Sequence, residues 1–285
     1  MENISVGIKT FKRPDCIKQC LESIPSITFK EVLVADDNSD EEYEKHHFEI
    51  YEEEKQRLNL KVIRLPFDSG LSKGRNEVFK QANTEYVLWL DDDILCPNNI
   101  LSLVYLFEKY PYVGAVSGLI RQGGVVQGNA TDFKLGKGRP KRVTPRFQIQ
   151  EQRVCFAEQM SNCAIFRKKM VDELPWDNFY KIGGEHSDFS LNHKVYGHYK
   201  MMCTTWVIFE HVPQESREYI KSWRCSQQRL KDSEQHFIEK WGFPYPEINH
   251  GWVEPFYLKI YRELSRCLGR GWYRRLRRIK TLLRG

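Results

Sequence analysis

Four features that would assign the chain to a common class are missing from its 285 residues. No apolar run reaches the roughly 18 residues of a membrane-spanning helix, and the N-terminus has no signal-peptide pattern, so we expect a soluble or peripheral protein. The eight cysteines contain no Cys-x-x-Cys pair. Several lie within apparent strands or helices, which favours reduced core thiols over a disulfide or zinc framework. Internal repeats are absent as well.

Positive charge is scarce outside one segment. The net charge is +6, but residues 259–284 contain ten Lys or Arg against the single acidic residue Glu263. The remaining chain is therefore slightly acidic, which argues against a general nucleic-acid surface. The length and the 41% hydrophobic content allow one large domain, alone or with a small extension.

The first half of the chain alternates strand-like and helix-like segments. Apolar or alternating runs predict strands at Ile4–Thr10, Val32–Ala35, Leu60–Leu65 and Tyr86–Leu90, and a helix follows Pro14. This alternation is typical of βαβ units and a parallel sheet of the nucleotide-binding type.

The second half is less regular. Strands are predicted at Val113–Ile120, Cys163–Phe166 and Met201–Phe209. Between the first two, residues 121–150 contain five Gly, two Pro and seven Lys or Arg against Asp132 alone. This composition predicts a mobile loop or irregular excursion over a site that handles anions; a solvated surface insertion is the alternative interpretation.

Three consecutive carboxylates follow the Tyr86–Leu90 strand: Asp91, Asp92 and Asp93. Alternation along a strand would put Asp91 and Asp93 on one face and Asp92 on the other. Such oxygen ligands suit Mg²⁺ or Mn²⁺, and ligands of open α/β sheets bind at the carboxyl ends of strands. The alternative is a solvated turn with an Asp cap for the next helix.

Other charged clusters also lie at the ends of predicted elements. Asp36 and Asp37 follow the second strand, residues 185–188 (Glu-His-Ser-Asp) begin a helix, and His211 follows the last strand. Taken singly, these residues could be a helix cap, a surface charge and a core histidine. Their order along the chain is more specific.

In that order the clusters resemble the GT-A glycosyltransferases, in particular family 2 and the ganglioside-type β-1,4-N-acetylgalactosaminyltransferases. The resemblance covers roughly residues 3–215 and is weak over 121–150. It rests on Lys9-Thr10-Phe11-x-Arg13, Val34-Ala35-Asp36-Asp37, Leu65-Pro66-Phe67, Gly74-Arg75-Asn76, Tyr86–Asp93 and Gly183–His211.

The resemblance implies an α/β GT-A fold, a Rossmann-like mixed sheet flanked by helices. It also implies inverting, metal-dependent transfer of a hexose or N-acetylhexosamine from a UDP-sugar to a glycan. Asp37 would accept a hydrogen bond from uracil and Arg75 would approach the base and ribose. Asp93 and His211 would hold the metal, with Mn²⁺ somewhat favoured over Mg²⁺. The residues that would bind the donor are Thr10, Arg13, Asp37, Arg75, Asp91 and Asp92.

Residues 176–189 would form the acceptor side. The pattern His186-x-Asp188-Phe189 makes Asp188 the preferred general base, with Glu185 then binding acceptor hydroxyls. Other subfamilies place the base directly after the Glu, where this chain has His186, so Glu185 remains the alternative base. Gly184 would contact the acceptor, and Trp176 would be either a stacking platform for a sugar ring or a core residue.

We expect a catalytic domain over residues 1–215, with a nucleotide-binding half at 1–120 and an acceptor-binding half at 150–215. Residues 216–285 would form a helical extension, whose tail at 256–285 has apolar residues at helical spacing among many arginines. Such a tail is typical of a helix lying on an anionic membrane surface. The alternatives are packing on the catalytic domain and, more weakly, RNA binding.

A lipid-linked glycan or surface polysaccharide acceptor, handled at the cytoplasmic face of the membrane, would fit this organisation. Two other functions remain open. A sugar-nucleotide nucleotidyltransferase would normally have a glycine-rich loop after the first strand, and Thr10–Pro14 has none. A non-catalytic sugar-nucleotide sensor or scaffold would be expected to have lost the metal or base motif.

Overall fold

A mixed β-sheet runs through the molecule. The computed structural model describes residues 3–246 except 27, 40, 136–139, 146–147, 150–152 and 215–218. The predicted tail at 256–285 lies outside these residues.

The elements follow the predicted alternation, with additional short strands in the second half. The strands are β1 (Ile4–Thr10), β2 (Glu31–Asp36), β3 (Leu60–Arg64), β4 (Tyr86–Asp91), β5 (Ile94–Leu95), β6 (Val113–Gln122), β7 (Val125–Gln127), β8 (Asp132–Lys134), β9 (Lys141–Val143), β10 (Gln148–Ile149), β11 (Val154–Ala157), β12 (Ala164–Arg167) and β13 (Lys200–His211). The helices are α1 (Pro14–Glu22), α2 (Glu41–Glu54), α3 (Leu71–Gln81), α4 (Val104–Lys109), α5 (Lys168–Glu173), α6 (Glu185–Val195) and α7 (Gln227–Trp241). A 3₁₀ turn (Ile100–Leu103) precedes α4 and a π-helical turn (Ile220–Arg224) precedes α7.

The main sheet has the strand order β10-β11-β13-β6-β12-β4-β1-β2-β3. Strands β3, β2, β1 and β4 are mutually parallel, whereas β12 lies antiparallel between β4 and β6. Register pairs Thr10 with Asp36, and Lys9 with Asp91. The carboxyl ends of β1, β2 and β4 therefore meet at one edge, and the predicted mixed α/β fold is confirmed.

Each face of the sheet is covered by an apolar cluster. Ile17 and Leu21 of α1 belong to the larger cluster, and Phe79 of α3 packs with Trp89 in the other. Burying a side chain of this size contributes roughly 1.5–3 kcal/mol. Helix α3 approaches β1 so closely that a Cβ at Gly7 would lie 2.6 Å from Val78.

The cysteines of the described part of the chain form no disulfide, and their reduced state stays a prediction. Seven are free, of which six are buried and Cys225 is exposed. Among the described residues, no helix is both long enough and apolar enough to cross a membrane.

Candidate active site

One large cavity of about 990 Å³ lies beyond the carboxyl ends of β1, β2 and β4. The cavity is also lined by the start of α6, by Arg142 of the β8–β9 hairpin and by residues between 219 and 230. Its size is at the upper end of the range for small-molecule sites. We call the strand-end side the donor wall and the α6 side the acceptor wall.

The three consecutive aspartates line the donor wall. The predicted alternation is wrong, because β4 ends at Asp91 and the next two residues form a turn before β5. Asp92 and Asp93 both ion-pair with Arg13, whose Nη1 lies 2.8 Å from Asp93. Thr10 does not line the cavity: its hydroxyl donates to Asp92 at 2.7 Å, so it supports the cluster instead of contacting a ligand.

Burial and charge affect the carboxylates of this turn in opposite directions. Full burial raises the pKa of Asp92, and the charge of Arg13 only partly opposes this. Burial would also raise the pKa of Asp93, but hydrogen bonds from His211 and Arg13 hold it below its usual value. Asp93 therefore keeps its negative charge to a lower pH than Asp92 does.

Asp93 and His211 provide a possible metal-binding pair. His211 Nε2 lies 3.3 Å from Asp93 Oδ2, close to the roughly 3 Å that separates adjacent ligands held at about 2.1 Å from one ion. Mg²⁺ and Mn²⁺ often use one or two protein ligands and complete their shell with phosphate and water. Three-residue metal clusters are absent from the part of the chain that the structure describes. The pair fits such an ion, which would share Asp93 with Arg13.

Asp37 follows β2 and lines the donor wall. Its Oδ1 accepts a hydrogen bond from Lys9 at 2.5 Å, and its Oδ2 accepts one from the backbone N–H of Gly70 at 2.9 Å. A carboxylate oxygen has two lone pairs, so each can accept a further N–H from a ligand. Below it, the buried Asp36 accepts hydrogen bonds from His47 and Tyr51, which anchors the end of β2.

Arg75 was predicted to approach the base and ribose, and this is wrong on the described geometry. The residue is 0% exposed and does not line the cavity. Its guanidinium lies between the rings of Trp89 and Trp176, 5.4 and 5.5 Å from their centroids. It donates a hydrogen bond to Asp91 at 3.3 Å, so Arg75 orients the first aspartate from behind.

Glu185 is the first residue of α6 and lines the acceptor wall although it is only 4% exposed. His186 lies 3.1 Å from its Oε1, whereas its Oε2 has no hydrogen-bond partner among the described residues. Gly184 also lines the cavity with φ of +91°, and a Cβ there would clash with the Tyr245 hydroxyl. Only glycine therefore fits the turn that delivers Glu185 to the cavity.

Asp188, the preferred general base from sequence, lies almost one turn after Glu185 in α6 and is covered by α7. It is 0% exposed and does not line the cavity. Its two oxygens accept hydrogen bonds from Lys240 Nζ at 2.9 Å and Trp241 Nε1 at 2.8 Å. The preference for Asp188 is therefore corrected, since both oxygens connect α6 to α7.

Trp176 is a core residue, the second of the two predicted alternatives. It is 2% exposed and stacks on Phe189 with centroids 4.1 Å apart. Arg75 lies over the same indole. A sugar could not stack on this ring without displacing those side chains.

Sequence reasoning missed several residues that line the cavity. Arg142 of β9 reaches the cavity and donates to Ser187 Oγ at 2.7 Å. Trp223 lines the cavity and packs edge-on against Phe11 and Phe67. The basic composition of residues 121–150 was the available signal for Arg142, whereas no local pattern marks Trp223.

The sequence model of glycosyl transferase family 2 matches residues 5–175. Among curated proteins, 138 residues are 36% identical to β-1,4 N-acetylgalactosaminyltransferase 2 of Mus musculus. This match covers 46% of the chain but 23% of that protein. The chain thus spans about a quarter of the length of such relatives.

The fold of this chain is also similar to that of several solved structures. TarS 1–349 from S. aureus in complex with UDP-GlcNAc matches with a TM-score of 0.57 and 18% identity, covering 88% of this chain and 69% of that one. The mannosyltransferase PcManGT from Pyrobaculum calidifontis, in complex with GDP-Man and Mn²⁺, matches with a TM-score of 0.56 and 19% identity, covering 83% and 64%.

Proposed function

The chain belongs to glycosyl transferase family 2, and we propose that it is an inverting, metal-dependent enzyme. It would move a hexose or N-acetylhexosamine from a UDP-sugar to a glycan acceptor. One observation supports this most strongly: a candidate metal-ligand pair, Asp93 with His211, and an incompletely bonded carboxylate, Glu185, line the same cavity.

A uridine donor is supported by the position of Asp37. Asp37 lines the cavity, and each of its oxygens can accept one more hydrogen bond, as the N–H of a uracil ring requires. Similar proteins are named for N-acetylhexosamine transfer, and one is bound to UDP-GlcNAc. We therefore propose UDP-N-acetylhexosamines as the first donors to assay.

Asp93 and His211 would hold Mn²⁺ or Mg²⁺ against the diphosphate. When bound, the ion would neutralise the negative charge that develops on the departing nucleoside diphosphate. Arg13, which already contacts Asp92 and Asp93, adds positive charge at the same place.

Glu185 is our proposed general base. Its carboxylate would take the proton of the attacking acceptor hydroxyl while that oxygen bonds to the anomeric carbon. The bond between the anomeric carbon and the phosphate oxygen breaks on the opposite face, UDP leaves, and the configuration inverts.

The catalytic part would extend beyond residue 215, because Tyr219, Trp223 and Arg229 line the same cavity. The basic tail at 256–285 supports, by its composition, attachment to an anionic membrane surface on the cytoplasmic side. A lipid-linked glycan or a surface polysaccharide is the acceptor class that such attachment favours.

Calorimetric titration of UDP in Mn²⁺ and then in EDTA tests the donor site, with GDP and CDP as controls. We expect binding of UDP that EDTA weakens by at least tenfold.

Asp93→Ala should bind UDP equally weakly with and without Mn²⁺, because a protein ligand of the ion is lost. Asp172→Ala removes an exposed carboxylate that pairs with Lys168 and does not line the cavity, so this variant should bind as wild type. Wild-type, Mn²⁺-dependent affinity in Asp93→Ala would refute the metal site.

A further inference from the structure

Several buried polar atoms on the acceptor wall lack hydrogen-bond partners. Among the described residues that line the cavity, these atoms are Thr131 Oγ1, Arg142 Nε, Gln159 Oε1 and Glu185 Oε2. Thr131 and Gln159 are 4% and 7% exposed. Leaving one such group unpaired costs roughly 1–3 kcal/mol, so native structures seldom do so without a reason. Their presence in one cavity points to a ligand that supplies the partners.

Backbone pairing brings these side chains together. Thr131 and Gln159 exchange two backbone hydrogen bonds, of 2.8 and 2.9 Å. Two residues after Thr131, Phe133 pairs with Arg142 across the β8–β9 hairpin. Arg142 then reaches Ser187, two residues after Glu185 in α6. The unpartnered atoms therefore lie beside the proposed base, where an acceptor sugar must approach.

The charge of Arg142 distinguishes it from other cations of the cavity. Lys9 is paired with Asp37, Arg13 with Asp92 and Asp93, and both Arg229 and Lys181 with Asp68. Arg142 bonds instead to a neutral hydroxyl, and no described carboxylate lies within ion-pair distance of it. Burial lowers the pKa of Arg142, which reflects a charge removed from water without a counter-charge.

We propose that Thr131, Arg142 and Gln159 form a subsite for an anionic oxygen group, a carboxylate or a phosphate ester, carried by the acceptor next to the attacking hydroxyl. Arg142 Nε and the Thr131 hydroxyl would donate to the anion, and Gln159 Oε1 would accept from an adjacent hydroxyl or amide. This inference rests on the proposed function, because it requires an acceptor at Glu185. The donor diphosphate has the same chemistry and is the other source that an experiment must distinguish.

The test compares D-glucuronate with D-glucose as probes, each titrated by NMR into the full chain with and without UDP and Mn²⁺. We expect wild type to bind glucuronate at least about fivefold more tightly than glucose. Arg142→Gln removes the charge and should abolish this preference, whereas Arg142→Lys should retain most of it. Lys134→Gln removes an exposed charge from the same hairpin and should change nothing. Circular dichroism establishes that each variant is folded.

The outcomes separate the two sources and the two proposals. A loss of UDP affinity in Arg142→Gln, with no anion preference among the sugars, would assign the anion to the donor and overturn the acceptor subsite. Equal binding of both sugars together with wild-type UDP affinity in Arg142→Gln would mean that the polar atoms are only hydrated, which also overturns the subsite. Failure of wild type to bind UDP at all would instead refute the proposed function.

Discussion

The two walls of the cavity differ in how completely their charges are compensated. On the donor wall the carboxylates have cationic partners within the protein: Lys9 for Asp37, and Arg13 for Asp92 and Asp93. A wall of this kind is held in place before a ligand arrives. It is suited to a nucleotide whose position must not vary.

On the α6 side, the carboxylate that lies outside the cavity has its charge paired within the protein, whereas the charged groups that line the cavity are less completely paired. Asp188 is buried outside the cavity lining, and its two oxygens bond to Lys240 and Trp241 of α7. Glu185 and Arg142, which line the cavity, keep polar atoms without partners among the residues that the structure describes. The donor wall is therefore held by ion pairs within the protein. The acceptor wall keeps polar atoms that can bond to a substrate and discriminate between substrates.

The largest expected effect comes from Glu185→Gln. If Glu185 removes the acceptor proton, the substitution should lower kcat roughly 10²- to 10⁴-fold. The dissociation constant for UDP in Mn²⁺ should stay within about twofold, because Glu185 pairs with His186 and not with Asp93 or its partners Arg13 and His211. Single-turnover assays and UDP titrations measure the two quantities. An active Glu185→Gln enzyme would remove the proposed distinction between the walls.

Asp188→Asn should have a smaller effect of a different kind. Asn keeps an oxygen for the Trp241 indole but loses the charge that holds Lys240, which retains Asp177 at 3.1 Å. We expect a loss of about 1–3 kcal/mol in the free energy of unfolding. The decrease in kcat should be less than about tenfold, with an unchanged pH–rate profile.

Urea unfolding and the pH dependence of kcat separate this role from catalysis. Loss of all transfer at unchanged stability would make Asp188 the base after all. It would also show that α7 must move away from α6 during the reaction.

This contrast also explains which features the sequence could predict. The carboxyl ends of parallel strands meet at one edge of the sheet. Because Asp37 and Asp91–Asp93 each follow a short apolar run, the sequence alone predicts that they lie together at this edge. The pairing of His211 with Asp93, 118 residues apart, came from the family resemblance alone. The family resemblance strengthened these assignments because its motifs are densest along β1, β2 and β4.

The acceptor wall could not be derived in the same way. Glu185 and Asp188 are three residues apart at the start of one helix, and nothing local determines which of them faces the cavity. Lys240 and Trp241 decide it by covering Asp188 from a helix some 50 residues later. The same limit applies to Trp176, whose burial depends on Phe189.

The smallest expected effect concerns a contact that joins the walls. Arg229 of α7 binds Asp68 with bonds of 2.8 and 2.7 Å, and Lys181 lies 2.9 Å from the same carboxylate. Burial would raise the pKa of Asp68, but these hydrogen bonds outweigh it and hold the pKa below its usual value. The ionised form is therefore stabilised in the folded state.

The sign of the pH dependence follows from that lowered pKa. The contribution of Asp68 is complete above its unfolded pKa of about 3.9 and is lost as the pH falls through the lower folded value. Asp68→Asn should cost roughly 1 kcal/mol at pH 7 in urea unfolding, and its deficit should shrink below about pH 4. Arg229→Gln, which removes the cationic partner, should show the same convergence with wild type. A deficit that is constant down to pH 3 would mean that the contact between the walls is packing rather than charge.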